Sequence, residues 1–134
     1  MRKLPLRLKH LSQEHRAALL LSAAGRDAMP QDDSDLPSFV KGVCTIFQQE
    51  MEPHFQEEER HVLPRLRELG RDDLADRTLA EHNQMRALIT QMGEAPTSAM
   101  VRDFSTVLQG HVEFEEGVVW DVLESSRDLV LNEA

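Results

Sequence analysis

The chain contains 134 residues with a formal net charge of −9 at pH 7, and 40% of its residues are hydrophobic while 29% are charged. This length suits one compact domain over residues 1–134, and the apolar content is too high for a disordered chain. Nucleic acid binding is not expected, because clustered Lys and Arg are largely missing. Aromatic residues make up only 4%, so a core of packed helices is favoured over a sheet.

The two ends of the chain and its apolar runs bear on where the protein is located. Residues 1–9 form a basic arm that we expect to be solvated, and residues 127–134 are expected to fray. The apolar stretch at 17–24 directly follows charged residues, so it is interpreted as an amphipathic helix of the mature protein and not as a secretory leader. With one cysteine, Cys44, and no apolar run of membrane-spanning length, a reducing cytoplasm is the predicted location and no membrane contact is expected.

Four segments show helical periodicity and are separated by proline, glycine and acidic residues. Helices joined by such short connections pack antiparallel in bundles. The expected fold is therefore all-α, an antiparallel up-down-up-down four-helix bundle. The predicted helices run, in chain order, from residue 8 or 12 to 28, from 35 or 36 to 67 or 69, from 72 or 73 to 92, and from 96 or 97 to 125.

Proline and glycine determine the details of these helices. Pro53 and Pro64 each remove a backbone donor, so the second helix should deviate about two residues before each proline without ending. Gly70 is expected to stop this helix. Gly93 is expected just past the end of the third helix, where a left-handed glycine is common.

Each predicted helix carries one histidine on its apolar face. The four are His15, His54, His82 and His111. Residues four apart share a face of an α-helix, because successive residues turn by about 100°. Two of the histidines are followed at this spacing by a glutamate, in the pairs His54–Glu58 and His111–Glu115. The inward face of the bundle therefore combines imidazoles with two carboxylates.

Two buried carboxylates require compensation, because an unpaired buried charge costs several kcal/mol or is neutralised by a proton. A multivalent cation provides it. Four imidazoles and two carboxylates suit iron or manganese, whereas zinc usually takes four ligands and calcium avoids nitrogen. If both glutamates and a solvent molecule bridge two ions, about ten of twelve octahedral positions are filled. Roughly one open position per ion is left for a small ligand.

These residues lie in motifs that resemble a known family, the hemerythrin-like or HHE cation-binding domains. The similar motifs are Leu11-Ser12-Gln13-Glu14-His15, His54-Phe55-Gln56-Glu57-Glu58 with Pro64, Glu81-His82 with Arg86, and His111-Val112-Glu113-Phe114-Glu115-Glu116. They occur in the family's order and span nearly the whole chain. Four motifs together are far more specific than any one of them.

The resemblance implies a non-haem centre of two iron ions with an oxo or hydroxo bridge, with manganese or zinc as the alternative metals. Carried over by position, the metal ligands would be His15, His54, Glu58, His82, His111 and Glu115. Such a centre would bind a small diatomic ligand, dioxygen or nitric oxide, or sense iron or oxygen. The physiological ligand, the protein partner and the oligomeric state, a homodimer included, stay open.

One position departs from the oxygen-carrying members of the family. They place a further histidine four residues before the His82 position, where this chain has Thr78. An iron with fewer nitrogen ligands should be more open, which favours sensing, redox chemistry or iron handling over reversible oxygen carriage. Binding is expected in preference to catalysis. The alternatives are a di-iron oxidase or peroxide-reducing enzyme, an iron storage or handling protein, and a metal-free bundle serving protein interaction.

Several neighbours of the candidate ligands need an interpretation of their own. His61 is interpreted as a pocket-lining histidine, and the alternatives are a seventh ligand or a residue that contacts a ligand. Glu57, Glu59 and Glu116 are interpreted as exposed helix charges. Glu116 is also the alternative to Glu115, because the related oxygen carriers use a carboxylate one residue further from the histidine.

Overall fold

The computed structural model describes residues 13–16, 18, 23 and 35–125, and these residues form helices and short connections without a strand. The helical residues 13–16, 18 and 23 lie in the first predicted helix, called α1 here. The predictions for the basic arm at 1–9, the tail at 127–134 and both ends of the first helix lie outside the described residues. The packing of four helices against each other confirms the predicted all-α bundle.

The second predicted helix is built from two α-helices and a π-helical turn. It comprises α2 (Leu36–Ile46), the π turn Phe47–Met51 and α3 (Glu52–Glu68). The deviation predicted before Pro53 is this π turn, which allows the proline to occupy the first turn of α3, where a missing N–H costs little. Pro64 lies inside α3 without ending it.

Gly70 ends α3 as predicted. Its φ of 78° is left-handed, and its N–H donates to the carbonyl of Arg67 at 3.0 Å. The N–H of Arg71 donates to the carbonyl of Leu66 at 2.8 Å, which completes a Schellman motif. The chain therefore reverses within a few residues, and α4 (Asp72–Glu94) begins directly afterwards and packs against α3.

The end of α4 differs from the prediction. Gly93 is not the left-handed residue after the helix, because α4 continues through it to Glu94, with Ala95 as its C-cap. The N–H of Ala95 donates to the carbonyl of Gln91 at 2.9 Å. Continued backbone hydrogen bonding thus outweighs the preference of glycine for a helix end.

The fourth predicted helix also contains a π turn. It comprises α5 (Ser98–Phe114), the π turn Glu115–Val119 and α6 (Trp120–Ser125). The hydroxyl of Thr97 caps it by accepting a hydrogen bond from the N–H of Met100 at 3.1 Å. The helical path runs through both of its glycines, as the sequence predicts.

Two apolar clusters fill the described interior, and a layer of the bundle separates them. This layer is called the level between the clusters. The first cluster contains Ala18, Leu36, Val40, Val43, Phe47, Met51, Phe55, Met85, Ile89, Met92, Val101, Phe104, Leu108 and Val112. The second cluster contains Val62, Leu63, Leu66, Leu74, Ala75, Phe114, Val119, Trp120 and Leu123. Along α3, Glu58 lies between Phe55 of the first cluster and Val62 of the second. None of the described helices is both long enough and apolar enough to cross a membrane.

Candidate metal centre

Histidine and glutamate side chains occupy the level between the two clusters. None of them exposes more than 2% of its surface. They are His15, His54, Glu58, His82, His111 and Glu115. The structure therefore brings together all six side chains that the sequence singled out.

The helices explain why these side chains converge. His15 lies on α1, His82 on α4 and His111 near the end of α5. His54 and Glu58 are one turn apart on α3, so one helix face carries both. Glu115 is the first residue of the second π turn, and turns of this kind often occur at functional sites.

Within the described residues, the six side chains form two overlapping groups that could each hold a metal ion. The first group is His15, His54, Glu58 and Glu115, and the second is Glu58, His82, His111 and Glu115. In each group one ligand atom per residue lies within 4.8 Å of the others. Ligand atoms bound at about 2.0–2.2 Å on opposite sides of one ion are up to about 4.4 Å apart, so slight contraction suffices. Two histidines belong to each group, and both glutamates are shared.

The carboxylate of Glu58 faces both groups at once. Its Oε2 lies 3.0 Å from Nε2 of His54 and 3.7 Å from Nε2 of His15. Its Oε1 lies 2.9 Å from Nε2 of His82. The two oxygens of one side chain thus serve different groups, which is the arrangement that a bridging carboxylate needs.

The carboxylate of Glu115 lies on the opposite helix and also contacts both groups. Its Oε1 is 2.9 Å from Nε2 of His15 and 3.4 Å from Nε2 of His111. Its Oε2 is 4.0 Å from Nε2 of His82. Glu115 therefore completes the inner donor set of both groups.

The hydrogen bonding of these atoms tests whether the cluster fits metal ions. Within the part of the chain that the structure describes, six buried atoms that point into it have no hydrogen-bond partner of adequate geometry: Nε2 of His15, His54 and His111, Oε2 of Glu58, and both carboxylate oxygens of Glu115. Buried polar atoms are rarely left without partners, since each one costs about 1–3 kcal/mol. All six are donor atoms for metals, so the residues present fit a pair of cations.

The electrostatics of the cluster favour positive charge at its centre. Burial lowers the pKa of His54, but the carboxylates of Glu58 and Glu14 outweigh burial and raise this pKa to about 9. Burial also opposes protonation of His111, whose pKa is nevertheless raised to about 10, chiefly by Glu115. Burial raises the pKa of Glu58, but the surrounding imidazoles hold it well below its usual range. Protons and metal ions would compete for these atoms.

Comparison with known protein families agrees with this geometry. The model of the hemerythrin HHE cation binding domain matches residues 6–123. The chain belongs to this family. No curated protein and no solved structure gave a significant match.

Four further glutamates surround the inner cluster of this HHE domain. Each accepts a hydrogen bond from the Nδ1–H of one histidine, on the side of the ring that faces away from the centre. The pairs are Glu14 with His54 at 2.6 Å, Glu59 with His82 at 2.8 Å, Glu81 with His111 at 2.7 Å, and Glu116 with His15 at 2.8 Å. We call these four the outer carboxylates. They orient all four imidazoles with Nε2 inward.

Arginines bind two of the outer carboxylates from the other side. The guanidinium of Arg86 donates to Glu59 at 2.9 Å, and that of Arg77 donates to Glu81 at 2.9 Å. Burial raises the pKa of Glu81, but hydrogen bonds from His111 and Arg77 lower it overall. This carboxylate is therefore held in its charged, accepting form.

Aromatic rings close the HHE centre on two sides. Phe55 stacks on His82 with ring centroids 4.0 Å apart and planes 11° apart. Trp120 stacks on His15 with centroids 5.7 Å apart and planes 10° apart. Both rings are at most 1% exposed, so they keep water from these faces of the imidazoles.

Three residues next to the candidate ligands have surroundings that differ from those predicted from the sequence. His61 does not line the cluster, since its side chain is 39% exposed and lies 3.8 Å from Glu57. Glu59 and Glu116 are not merely exposed charges, because each binds an imidazole. Glu115 points into the cluster, where it contacts Nε2 of His15, whereas Glu116 contacts Nδ1 on the outer side of the same ring. Glu116 therefore does not replace Glu115 as the inner carboxylate.

Glu14 and Glu81 lie within the family-like motifs of the sequence, but no role is predicted for them there. A signal was present, because each outer carboxylate is the chain neighbour of an inner residue. Adjacent residues on a helix point about 100° apart, so the neighbour of an inward side chain is directed at the next helix. Only the packing of the helices identifies which histidine it meets there.

Proposed function

We propose that this HHE domain binds two iron ions and that the loaded centre binds a small diatomic ligand, such as dioxygen or nitric oxide, or reports iron status. The proposed ligands are His15, His54, Glu58, His82, His111 and Glu115. The observation that carries the proposal is the position of Glu58 within one buried cluster: its Oε2 faces His54 and His15 of the first group, and its Oε1 faces His82 of the second.

Some residues of the chain would hold the metal ions, and others would shield the site from water. The imidazoles supply two nitrogens to each position, and the shared carboxylates balance the charge of both ions. Phe55 and Trp120 exclude water from two imidazole faces. Bound iron would supply Lewis acidity, one-electron redox chemistry and open positions for the small ligand.

The donor set supports iron and leaves manganese or zinc as alternatives. Mixed imidazole and carboxylate donors suit iron and manganese, whereas zinc is usually satisfied by four ligands in a closed site. A cytoplasmic location is part of the proposal and is supported by the free thiol of Cys44.

Thr78 supports sensing, redox chemistry or iron handling over oxygen carriage. This residue is fully buried, and its hydroxyl donates to the carbonyl of Leu74 at 2.8 Å. A threonine side chain has no nitrogen, so Thr78 cannot supply an imidazole-type ligand to the second group. With two histidines in each group, both ions would keep open positions. Open iron positions can activate oxygen as well as hold it, so a di-iron redox enzyme, an oxidase or a peroxide-reducing protein, is the second candidate function.

Metal content and optical spectra test the proposal directly. Protein loaded with ferrous iron under anaerobic conditions and then exposed to air is expected to hold two iron atoms per chain and to develop an absorption band of a bridged ferric pair. One tightly bound zinc per chain, with no uptake of iron, would contradict the proposal.

Two alanine variants test the ligand assignment. His54→Ala and Glu58→Ala are each expected to lose metal and thermal stability together, because metal binding is coupled to folding. His61→Ala is the matched control, since this histidine lies on α3 but outside the cluster. Wild-type metal content in both cluster variants would refute the assignment.

Reaction with small molecules separates the two candidate functions. A stable nitric oxide or dioxygen adduct without turnover supports binding or sensing. Rapid consumption of hydrogen peroxide or ferrous iron by the purified protein supports the redox enzyme.

A further inference from the structure

The outer carboxylates connect the four helices in a closed cycle. The first helix supports the second through Glu14 and His54, and the second supports the third through Glu59 and His82. The third supports the fourth through Glu81 and His111, and the fourth returns to the first through Glu116 and His15. Every helix thus gives one carboxylate and receives one.

The cycle follows from one repeated pattern in the chain. Each outer carboxylate precedes or follows an inner residue, in the pairs Glu14–His15, Glu58–Glu59, Glu81–His82 and Glu115–Glu116. The inner member points to the centre, and its neighbour, rotated by about 100°, reaches the adjacent helix. The rotation of each helix about its axis therefore determines two contacts together: the inner residue with the centre and the outer carboxylate with the adjacent helix.

The chemistry of the carboxylate fixes the state of the ring that it contacts. An ionised carboxylate can only accept, so Nδ1 must carry the hydrogen. Nε2 of the neutral ring then presents its lone pair to the centre. The opposite tautomer would break the outer hydrogen bond and direct an N–H at the position of the metal.

The outer carboxylates divide evenly between the two groups. Glu14 and Glu116 hold His54 and His15, which belong to the first group. Glu59 and Glu81 hold His82 and His111, which belong to the second. Each metal position therefore has its own pair.

We propose that the outer carboxylates are positioning residues, two for each metal position, which set the Nδ1–H tautomer and the orientation of the imidazoles. This inference rests on the proposed function, because it assumes that the two groups bind metal. It goes further in assigning separate residues to the support of each ion.

Glutamine variants test the proposal, because an amide has a similar shape but can donate to Nδ1 and so favour the wrong tautomer. Glu81→Gln is expected to lower the affinity for one of the two bound metal ions by about 10–100-fold and to leave the affinity for the other unchanged. Glu14→Gln is expected to do the same to the other ion. Glu81→Asp, which keeps a carboxylate, should recover part of the affinity. Glu113→Gln is the control, since Glu113 is exposed and contacts Gln109.

The measurements are titration with ferrous iron and nitrogen-15 NMR of the histidine rings in the zinc-loaded protein. The spectra of the wild-type protein should show Nδ1 protonated and Nε2 ligated in all four rings. In Glu81→Gln only the signals of His111 and its metal partners should change. Circular dichroism of each variant checks that it folds, and Glu59→Gln replaces Glu81→Gln if that variant does not.

The outcomes separate this inference from the function on which it rests. Failure of the wild-type protein to bind two metal ions would refute the proposed function itself. Two ions in the wild-type protein, with unchanged affinity and ring signals in the glutamine variants, would overturn only the positioning role. An equal loss of affinity for both ions in every variant, Glu113→Gln included, would also overturn it. The loss of one negative charge would then explain the lower affinity without any positioning role.

Discussion

Arg86 shows how a single side chain secures the outside of the centre. Its Nε and one terminal nitrogen bind the two oxygens of Glu52 at 2.9 and 2.8 Å, and the other terminal nitrogen binds Glu59 at 2.9 Å. The same oxygen of Glu59 accepts the hydrogen bond from His82. The guanidinium also lies 5.6 Å from the ring centroid of Phe55. Arg86 therefore joins α4 to α3 at the level of the cluster.

Replacing Arg86 by lysine tests this connection. A lysine keeps the charge but cannot match the planar fork of hydrogen bonds, so Arg86→Lys should lower the free energy of unfolding by about 1–2 kcal/mol. Urea denaturation of the metal-free protein measures the change. Arg60→Lys is the control, because Arg60 is 65% exposed and its ion pair spans 3.8 Å; it should stay within about 0.5 kcal/mol. Equal effects would show that the fork contributes nothing.

At this scale the sequence predicts the residues that face inward and not those that support them. Glu58 and Glu115 are identifiable because a charge at helical spacing within an apolar stripe is unusual. Glu14 and Glu81 lie at the edge of their stripes, where charged residues are ordinary. Their contacts depend on the rotation of neighbouring helices, which no single-helix pattern specifies.

The helix ends and π turns determine where each ligand lies along the bundle. One π turn precedes the helix of His54, and the other contains Glu115. At the far end of α3, the left-handed Gly70 sets the direction in which α4 returns. Each device changes the rotation or direction of a helix that carries part of the centre.

Exchanging glycines for alanine distinguishes their backbone roles. Gly70→Ala should lower the free energy of unfolding by about 1–2 kcal/mol, because a Cβ is strained at positive φ even though open space surrounds it. Gly110→Ala, inside α5 and also in open space, should raise it by about 0.5–1 kcal/mol. Thermal or urea unfolding measures both. A neutral Gly70→Ala variant would show that its left-handed conformation is not required.

The helix bounds are largely predictable, but their internal form is not. Leu36 is a predicted limit, and Gly70 is the predicted stop. Proline gives a signal for the first π turn. The second has no comparable signal, because Gly117 by itself favours neither an α nor a π turn. Gly93 fails as a stop because its local preference is weaker than one more helical hydrogen bond.

The balance of charge involves the whole molecule. Two buried carboxylates and four imidazoles lie at the junction of all four helices, and their mutual attraction must replace the solvation that each charge loses. Metal ions would strengthen this balance, because one ion contacts side chains from several helices. Occupancy and bundle stability are therefore expected to change together.

Removal of metal should destabilise the entire bundle. With free metal at 100 times its dissociation constant, one site stabilises the folded chain by about 2.7 kcal/mol and two independent sites by roughly twice that. Each kcal/mol corresponds to about 3–6 °C for a domain of this size. Differential scanning calorimetry with iron, and again after chelation, measures the shift. An equal melting temperature with iron and after chelation would contradict coupled binding and folding.

The shared position of Glu115 also restricts when the centre can be assembled. It belongs to both groups, yet it follows every other proposed ligand in the chain. As the ribosome extends the polypeptide, five of the six donors emerge before it, and neither group is complete at that stage. If the two groups bind metal as proposed, completion of the centre would therefore be a late event, which follows the synthesis of nearly all of the described bundle.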